Sequence, residues 1–177
     1  MDSQQQVFSQ GISQVASLMC LAARTAPKAK GKDRLIIRVL EGKDKDALAQ
    51  TMEEIAASGY VASAFSRDAK NLNRASAVVL IGTKLTYMGL NCNFCGFGTC
   101  AECKNKGGHC AFDAMDLGVA IGSAASVAAN MHVDNRLMYT IGYAATKNKL
   151  LGEEAAFAIG IPLSATGKNI FFDRETP

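Results

Sequence analysis

The stretch Leu35-Ile36-Ile37-Arg38-Val39-Leu40 is a short and nearly continuous apolar run, rich in β-branched residues. Runs of this kind are typical of strands that are buried in a sheet. A second run, Ala77-Val78-Val79-Leu80-Ile81, ends at Gly82, and a third, from Phe157 to Leu163, alternates large and small residues. Pro162 has no backbone N–H, so we expect the end of this third strand at an edge or exit of the sheet. The sequence therefore predicts a small sheet.

Helical segments separate these strands. Apolar residues recur at helical spacing from Gln5 to Ala23 and again from Asp44 to Ser58, where Gly59 offers a C-terminal stop. A long helix is predicted from Phe112 to Asn130, and the ambiguous segment from Arg136 to Leu151 is expected to be mostly helical. This order of elements predicts layers of helices over a small sheet.

Composition limits the class of protein. The 177 residues suit a single domain, residues 1–177, and the 49% hydrophobic and 20% charged content is typical of a soluble globular chain. The net charge is only +3, aromatic residues make up 7%, and tryptophan is absent, which disfavours nucleic-acid binding. The densest basic run, from Lys28 to Arg34, is most simply a solvated loop.

The location of the protein follows from what the sequence does not contain. The N-terminus lacks a signal-peptide pattern, and no apolar run approaches the roughly 20 residues of a membrane span. We therefore expect a cytoplasmic protein that does not associate with a membrane. Thiols stay reduced in the cytoplasm, so the six cysteines indicate metal or redox chemistry.

Five of the six cysteines lie in a glycine-rich loop, residues 91–110, with the spacing Cys92-x2-Cys95-x4-Cys100-x2-Cys103-x6-Cys110. Thiolates are soft ligands that suit zinc or an iron–sulfur cluster. Structural zinc sites usually separate two Cys-x2-Cys pairs by about a dozen residues or more, whereas four residues separate them here. The spacing favours iron–sulfur over zinc. The triplet Cys95, Cys100 and Cys103 also matches a plant-type 2Fe-2S pattern with Cys110 as fourth ligand, so the cluster type stays open.

Several motifs carry a resemblance that covers essentially the whole chain. They are Asn91-Cys92-x-Phe94-Cys95-Gly96-Phe97-x-Thr99-Cys100, Cys110-Ala111-Phe112, Asp116-Leu117-Gly118-x-Ala120-x-Gly122-Ser123, Val133-Asp134-Asn135-Arg136 and the segment from Gly160 to Arg174. With these motifs the chain resembles a bacterial and archaeal family of unknown function that contains a ferredoxin domain. The resemblance implies a ferredoxin-type electron-transfer protein whose redox partner protein is unknown.

The cysteine motif is also similar to the 4Fe-4S segment of corrinoid iron–sulfur proteins and of the Rnf electron-transport subunit. Carried over residue by residue, this similarity nominates Cys92, Cys95, Cys100 and Cys110 as the cluster ligands. Cys103 has no counterpart in that pattern and is the alternative fourth ligand. The similarity implies that the cluster survives the loss of Cys103 and fails without Cys110.

The segment Ala22-Ala23-Arg24-Thr25-Ala26-Pro27 is followed by a strand, and later by a helix of small residues and a final strand. This order of elements loosely resembles that of flavin-dependent nitroreductases. It implies an α+β fold with a small, mostly antiparallel central sheet flanked by helices. It also implies an FMN cofactor and a homodimer. The arginine–serine pair that opens the nitroreductase flavin site is absent, which leaves Arg24, Lys28 and Lys30 as candidates to hold an FMN phosphate.

The predicted late helix carries small residues at steps of three and four: Gly118, Gly122, Ala125 and Ala129. Such a stripe lets another backbone approach closely, either inside the core or across a dimer. Three functions follow from these patterns. The first is a 4Fe-4S electron carrier, the second an FMN-dependent nitroreductase-like oxidoreductase with the cluster as relay, and the third a structural zinc module.

Overall fold

The computed structural model describes residues 3–173, so Arg174, the last residue of the final motif, lies outside the described residues. Within these residues, four strands form one sheet in the order β1-β2-β4-β3, and each pairing is antiparallel. The strands are β1 (Leu35–Glu41), β2 (Ala77–Lys84), β3 (Asp134–Asn135) and β4 (Ala155–Ser164). The three predicted strands are confirmed as β1, β2 and β4, and only the two-residue β3 was not predicted.

Strand β2 lies at the centre of the sheet and faces both cores. Its side chains alternate, with Val78 and Leu80 in one hydrophobic cluster and Val79 and Ile81 in the other. All four are fully buried. A strand that is buried on both faces reads as a continuous apolar run, which is why this element is so clear in the sequence.

The expected edge position of Pro162 is wrong. Strand β4 lies between β2 and β3, and Pro162 is paired with Val78 of β2. The ladder on the other side of β4 pairs Leu163 with β3 and then reaches Gly160, which exchanges backbone hydrogen bonds with Met138. Backbone N–H groups along a strand point alternately to its two neighbouring strands. The N–H that Pro162 lacks would point to the β3 side, between the pairing with β3 and the pairing of Gly160 with Met138. An interior strand tolerates proline here because no ladder bond is lost.

Helices cover both faces of the sheet. They are α1 (Gln4–Thr25), α2 (Gly42–Ala57), α3 (Ala62–Arg74), α4 (Cys100–Asn105), α5 (Ala111–Asn130) and α6 (Tyr139–Lys147), with a single 3-10 turn at Ala29–Gly31. Helices α1 and α5 pack on one face, and α2, α3 and α6 pack on the other. The predicted three-layer α+β arrangement is confirmed.

Two helices were not predicted. Helix α3 carries mostly polar residues, yet Phe65, Ala69 and Leu72 lie on its inner face and are fully buried. Helix α4 has only six residues and lies inside the cysteine-rich loop. Helix α6 is shorter than the segment from Arg136 to Leu151 in which a helix was expected.

Contrary to the expectation that no apolar run approaches a membrane span, helix α5 is long and apolar enough to cross a membrane by length and composition, and 39% of the relevant window is buried. Core helices of soluble proteins pass the same test, and α5 contributes Leu117, Ala120 and Ile121 to the core between α1 and the sheet. Its small residues do not all pack inward. Gly118 and Gly122 are exposed, with open space where a side chain would lie, so these two positions do not serve packing within this chain.

Candidate metal centre

The cysteine-rich loop, residues 91–110, lies between β2, which ends at Lys84, and the start of α5 at Ala111. Asn91, Asn93 and Gly96 adopt left-handed backbone conformations, with φ of 49°, 62° and 79°. Asparagine and glycine are the residues that tolerate this region best, so the tight turns follow directly from the local sequence. These turns fold the loop back so that distant cysteines come close together.

The five thiols differ in how deeply they lie. Cys92 is exposed, Cys95 and Cys100 are half-buried, and Cys103 and Cys110 are buried, with 1% and 6% of their surfaces accessible. Cys100 and Cys103 are three residues apart on α4, a spacing that places them on the same face of the helix. The loop therefore turns most of its thiols inward.

Cys103 marks the centre of this arrangement. Burial is the largest cause, and together with a hydrogen bond to Cys95 and the nearby thiols of Cys95, Cys110 and Cys100 it raises the pKa of the Cys103 thiol from 9.0 to about 11. Four of the five thiols thus share one neighbourhood. Within residues 3–173, the Cys, His, Asp and Glu side chains form no ready-made group of three placed to hold a metal ion. The donor set nevertheless fits a thiophilic metal or cluster, because each of the five candidate ligands is a soft sulfur.

Backbone and side-chain groups of Asn91 organise Cys100. The Asn91 N–H donates to Cys100 Sγ across 3.4 Å, and Asn91 Oδ1 accepts from the Cys100 N–H at 2.9 Å. N–H donors aimed at cysteine sulfur stabilise the negative charge of a thiolate or a cluster.

Two cysteines lie at helix N-termini. Cys100 is the first residue of α4, and Cys110 is the residue that precedes the 20-residue helix α5. The N-terminal end of a helix carries a partial positive charge and unpaired N–H groups. The two helix ends therefore favour negative charge close to Cys100 and Cys110.

Gly108 closes the loop against its own interior. A Cβ at this position would lie 2.5 Å from the Phe97 ring and 3.0 Å from Cys103 Sγ, so no larger residue fits without movement. The Gly108 N–H donates to the Cys103 carbonyl at 2.8 Å, and its own carbonyl accepts from the Tyr87 hydroxyl at 2.9 Å. Gly108 thus ties Cys103, inside the loop, to Tyr87, which precedes the loop.

A buried ionic cluster anchors the loop to the rest of the fold. Arg34 lies 3.3 Å from Asp116 and 3.7 Å from Asp113, with all three side chains nearly inaccessible. The Thr86 N–H and hydroxyl each donate to Asp113 at 2.9 Å, and the Ala29 N–H donates to Asp116 at 3.0 Å. Asp113 lies in the first turn of α5, and Asp116 lies three residues further along the helix. Their partners are more than 25 residues away, so sequence reasoning missed this cluster.

The three cations proposed for an FMN phosphate have intramolecular partners. Arg24 forms an ion pair with Asp33 at 2.5 Å, and Lys30 Nζ donates to the Met88 carbonyl at 3.4 Å. Lys28 Nζ donates to three carbonyls at the end of α1, at 2.7, 2.8 and 3.2 Å, which caps that helix. Partial burial alone raises the pKa of Asp33, but hydrogen bonds from Arg24 and the Leu35 N–H outweigh it, so this pKa is lowered. The role of Arg24, Lys28 and Lys30 in binding a phosphate stays a prediction.

A groove of about 560 Å³ lies between α6 and β4, close to the cysteine-rich loop. We call it the tyrosine groove; it is lined by Leu117, Tyr139, Tyr143, Thr146, Lys147, Ala156, Phe157, Ala158 and Ile159. His109, the neighbour of Cys110, packs edge-on against Phe157 with ring centroids 5.6 Å apart. Sequence reasoning missed the groove because three separate elements form it. Its one local signal is the pair of tyrosines four residues apart on α6.

The fold is shared with nitroreductases and a flavoprotein of known structure. The nitroreductase CinD of Lactococcus lactis, in complex with nicotinic acid, has a TM-score of 0.64 at 13% identity, covering 95% of this chain and 81% of its own. The FMN-dependent nitroreductase NfnB of Mycobacterium smegmatis, in complex with NADPH, has a TM-score of 0.60 at 10% identity, covering 93% and 83%. A BluB-like flavoprotein of Clostridium difficile reaches 0.58 at 16% identity, covering 93% and 85%. At these identities the likeness confirms the nitroreductase-like layers and no more than the fold.

Sequence comparison gives the family. The model of a family described as an uncharacterized protein containing a ferredoxin domain matches residues 106–174. A protein of Archaeoglobus fulgidus, described as an uncharacterized protein, is 41% identical over 175 residues, which is 94% of this chain and 93% of that relative. With a relative at this identity over nearly the whole chain and a family model over its C-terminal part, the chain belongs to the family of uncharacterized proteins that contain a ferredoxin domain.

Proposed function

We propose that this protein is a ferredoxin-type redox protein that carries one 4Fe-4S cluster on the cysteines of residues 91–110. It passes electrons to a protein partner in the cytoplasm. The observation that supports the proposal most directly is the neighbourhood of Cys95, Cys100, Cys103 and Cys110 in a tightly turned loop. Membership of a family with a ferredoxin domain supports the same iron–sulfur chemistry.

The proposed ligands are Cys92, Cys95, Cys100 and Cys110, with Cys103 as the alternative. Cys103 is the alternative because it has no counterpart in the cysteine pattern that nominates this set. Cys92 is exposed and lies between Asn91 and Asn93, both of which have left-handed backbone conformations. The buried Cys103 is then left beneath the ligand set.

When bound, a 4Fe-4S cluster supplies one-electron transfer. The chain's own residues hold the ligands and set their charge environment. The Asn91 N–H stabilises negative charge on Cys100 Sγ. The N-terminus of α5 does the same at Cys110. The Arg34–Asp113–Asp116 cluster holds the first turn of α5 in place, and this fixes the position of the last ligand.

An FMN-dependent oxidoreductase that uses the cluster as a relay is the second candidate. The nitroreductase-like fold and the tyrosine groove favour it. Arg24, Lys28 and Lys30 would contact the phosphate only after giving up their present partners, which weighs against them. A structural zinc module on the same thiols is the third candidate, supported by ligand chemistry alone.

The protein is also proposed to be a homodimer. Both charged residues of α5, Asp113 and Asp116, are buried, so the outer face of Ala111–Asn130 is uncharged. Gly118 and Gly122 leave open space on that face beside the exposed Val119. A second copy could approach closely there. Replacing Gly122 by leucine should convert a dimer to a monomer in analytical ultracentrifugation, and a dimer that survives this change would rule out the α5 face.

Absorbance of the anaerobically purified protein separates the three functional candidates. A broad band in the visible blue supports the cluster, and structured flavin peaks support FMN. A colourless protein that contains stoichiometric zinc would overturn both redox functions.

A further inference from the structure

We propose that the tyrosine groove binds a planar aromatic small molecule that bears an anionic substituent. Binding in the groove does not itself require a bound cluster, but the preference for a redox-active ring rests on the proposed function, which assigns a cluster to Cys110. The redox-active members of this chemical class include quinones and flavins. The inference rests on the shape of the groove, on its aromatic wall and on the cation at its rim.

The size and lining of the groove suit a small molecule. Its volume of about 560 Å³ falls within the roughly 300–1,000 Å³ that ligand sites occupy. Leu117, Phe157 and Ile159 supply apolar surface from α5 and β4. Tyr139 and Tyr143 stand on the same side of α6, four residues apart, with 50% and 43% of their surfaces exposed. Two half-exposed aromatic rings beside an apolar floor offer large flat surfaces for stacking.

The aromatic wall is held in place before any ligand arrives. The Tyr143 ring stacks on Tyr60 at 5.2 Å between centroids with an interplanar angle of 24°. It also meets Phe65 edge-on at 5.7 Å. Phe65 is fully buried and belongs to the core, so the wall is anchored to the fold. A ring that is already ordered loses little conformational entropy on binding.

The charge at the rim selects the kind of aromatic ligand. Lys147 lines the groove in the last turn of α6, and within residues 3–173 it forms no salt bridge with an acidic side chain. The neighbouring Lys149, by contrast, pairs with Glu153 at 2.8 Å. An ammonium group beside an otherwise apolar groove favours a ligand with a sulfonate, carboxylate or phosphate group.

The groove also contacts the cysteine-rich loop. Phe157 forms part of its floor, and the ring of His109 packs edge-on against Phe157 at 5.6 Å. His109 is bonded to Cys110, one of the proposed cluster ligands. A small molecule that contacts Phe157 is therefore separated from His109 by a single aromatic contact, and His109 directly precedes the proposed cluster ligand Cys110. This position favours a redox-active ring over other planar molecules.

The test uses anthraquinone-2-sulfonate as the probe and the full-length, metal-free protein, so that its outcome is separate from cluster formation. We expect saturable one-to-one binding by isothermal titration calorimetry. Tyr143→Leu should weaken binding up to about tenfold, as the loss of one aromatic contact predicts. Lys147→Gln should weaken it about two- to fivefold, as for an exposed ion pair. Lys149→Gln and Phe172→Leu, which lie outside the groove, should bind the probe as the wild type does.

A measurement on the wild type avoids reliance on the folding of variants. In a methyl NMR titration, the resonances of Ala156, Ala158 and Ile159 should shift as the probe binds, and that of Ala165 should not. Absence of saturable binding would overturn the proposal, as would binding that leaves the groove methyls unchanged. The groove would instead be a subunit interface if the wild type is a dimer that Tyr143→Glu dissociates and that excludes the probe. That outcome also overturns the proposal.

Discussion

The hydroxyl group of Tyr87 donates a hydrogen bond to the backbone carbonyl of Gly108 across 2.9 Å. Tyr87 lies between β2 and the cysteine-rich loop, and Gly108 lies two residues before Cys110, so this single bond joins the segment that precedes the loop to the end of the loop. Gly108 in turn donates to the Cys103 carbonyl at the middle of the loop. The position of the thiols therefore depends on a residue that is not itself a ligand.

Removal of the Tyr87 hydroxyl should loosen the loop. Tyr87→Phe keeps the ring but leaves the Gly108 carbonyl without its donor, at a cost of about 1 kcal/mol in the free energy of unfolding. We expect faster alkylation of Cys110 by iodoacetamide, measured by mass spectrometry. Tyr60→Phe, a matched change on a half-exposed ring in the opposite layer, serves as control. Equal alkylation rates in both variants would contradict the role of this bond.

Serine substitutions test the ligand set. Cys110→Ser should lose the cluster, because a serine hydroxyl is a poor ligand for iron and Cys110 lies at the N-terminus of α5. Cys103→Ser should retain the cluster, and so should the control Cys20→Ser in α1. Iron content per chain after anaerobic reconstitution gives the comparison. If Cys103→Ser loses iron while Cys92→Ser keeps it, Cys103 is the fourth ligand and the proposed set is wrong.

The buried ionic cluster should be sensitive to the loss of its cation. Arg34→Met leaves Asp113 and Asp116 buried without a compensating charge, which typically costs about 3–5 kcal/mol. Urea unfolding should show this loss. Arg38→Met removes an arginine that donates to the Leu150 carbonyl at the surface, and should cost less than about 1.5 kcal/mol. Similar losses in the two variants would show that the cluster does not stabilise the fold in the way described.

The contact between α6 and β4 should not tolerate a methyl group at Gly142. A Cβ there would lie 1.8 Å from the Ala158 carbonyl oxygen, and backbone cannot move aside as a side chain can. Gly142→Ala should lower the free energy of unfolding by about 1–3 kcal/mol or more. Gly11→Ala in α1 meets nothing within 4 Å and should stabilise the protein by up to about 1 kcal/mol. Thermal unfolding of both variants checks this, and a destabilising Gly11→Ala would contradict the helix argument.

The pKa of Cys103 predicts a pH dependence in the metal-free protein. Burial and neighbouring thiols raise it from 9.0 to about 11, so the folded state binds the proton more tightly than the unfolded state. Below pH 9 both states keep the proton and stability is constant; between pH 9 and about 11 the unfolded state loses it first, and stability falls. Cys103→Ala should flatten this decline in urea unfolding measured across that range. An unchanged decline would assign the effect to other groups.

Much of the fold could be predicted because its central elements carry strong periodic signals. The runs at Leu35–Glu41 and Ala77–Lys84 are buried, and burial leaves a continuous apolar pattern. Helix α3 escaped prediction because its polar face is much larger than the stripe formed by Phe65, Ala69 and Leu72. Helix α4 escaped because six residues are too few to show helical periodicity.

The candidate site could be predicted in its ligands but not in its support. Thiol spacing is a local property, so the cysteine-rich loop is evident in the sequence. The contacts from Arg34 to Asp116 and from Tyr87 to Gly108 join residues far apart in the chain, and no local pattern encodes them. The tyrosine groove is likewise assembled from three elements. Pro162 shows the same limit, because the gap that accommodates it depends on the short partner β3.

The central claim is that the cysteine-rich loop holds one 4Fe-4S cluster. Anaerobic reconstitution with iron and sulfide, followed by quantitation and EPR, tests it most directly. We predict about four irons and four sulfides per chain and an EPR signal that appears on reduction and is lost in Cys110→Ser. Wild-type protein that takes up no sulfide, shows no EPR signal and instead binds one zinc ion per chain would contradict the account.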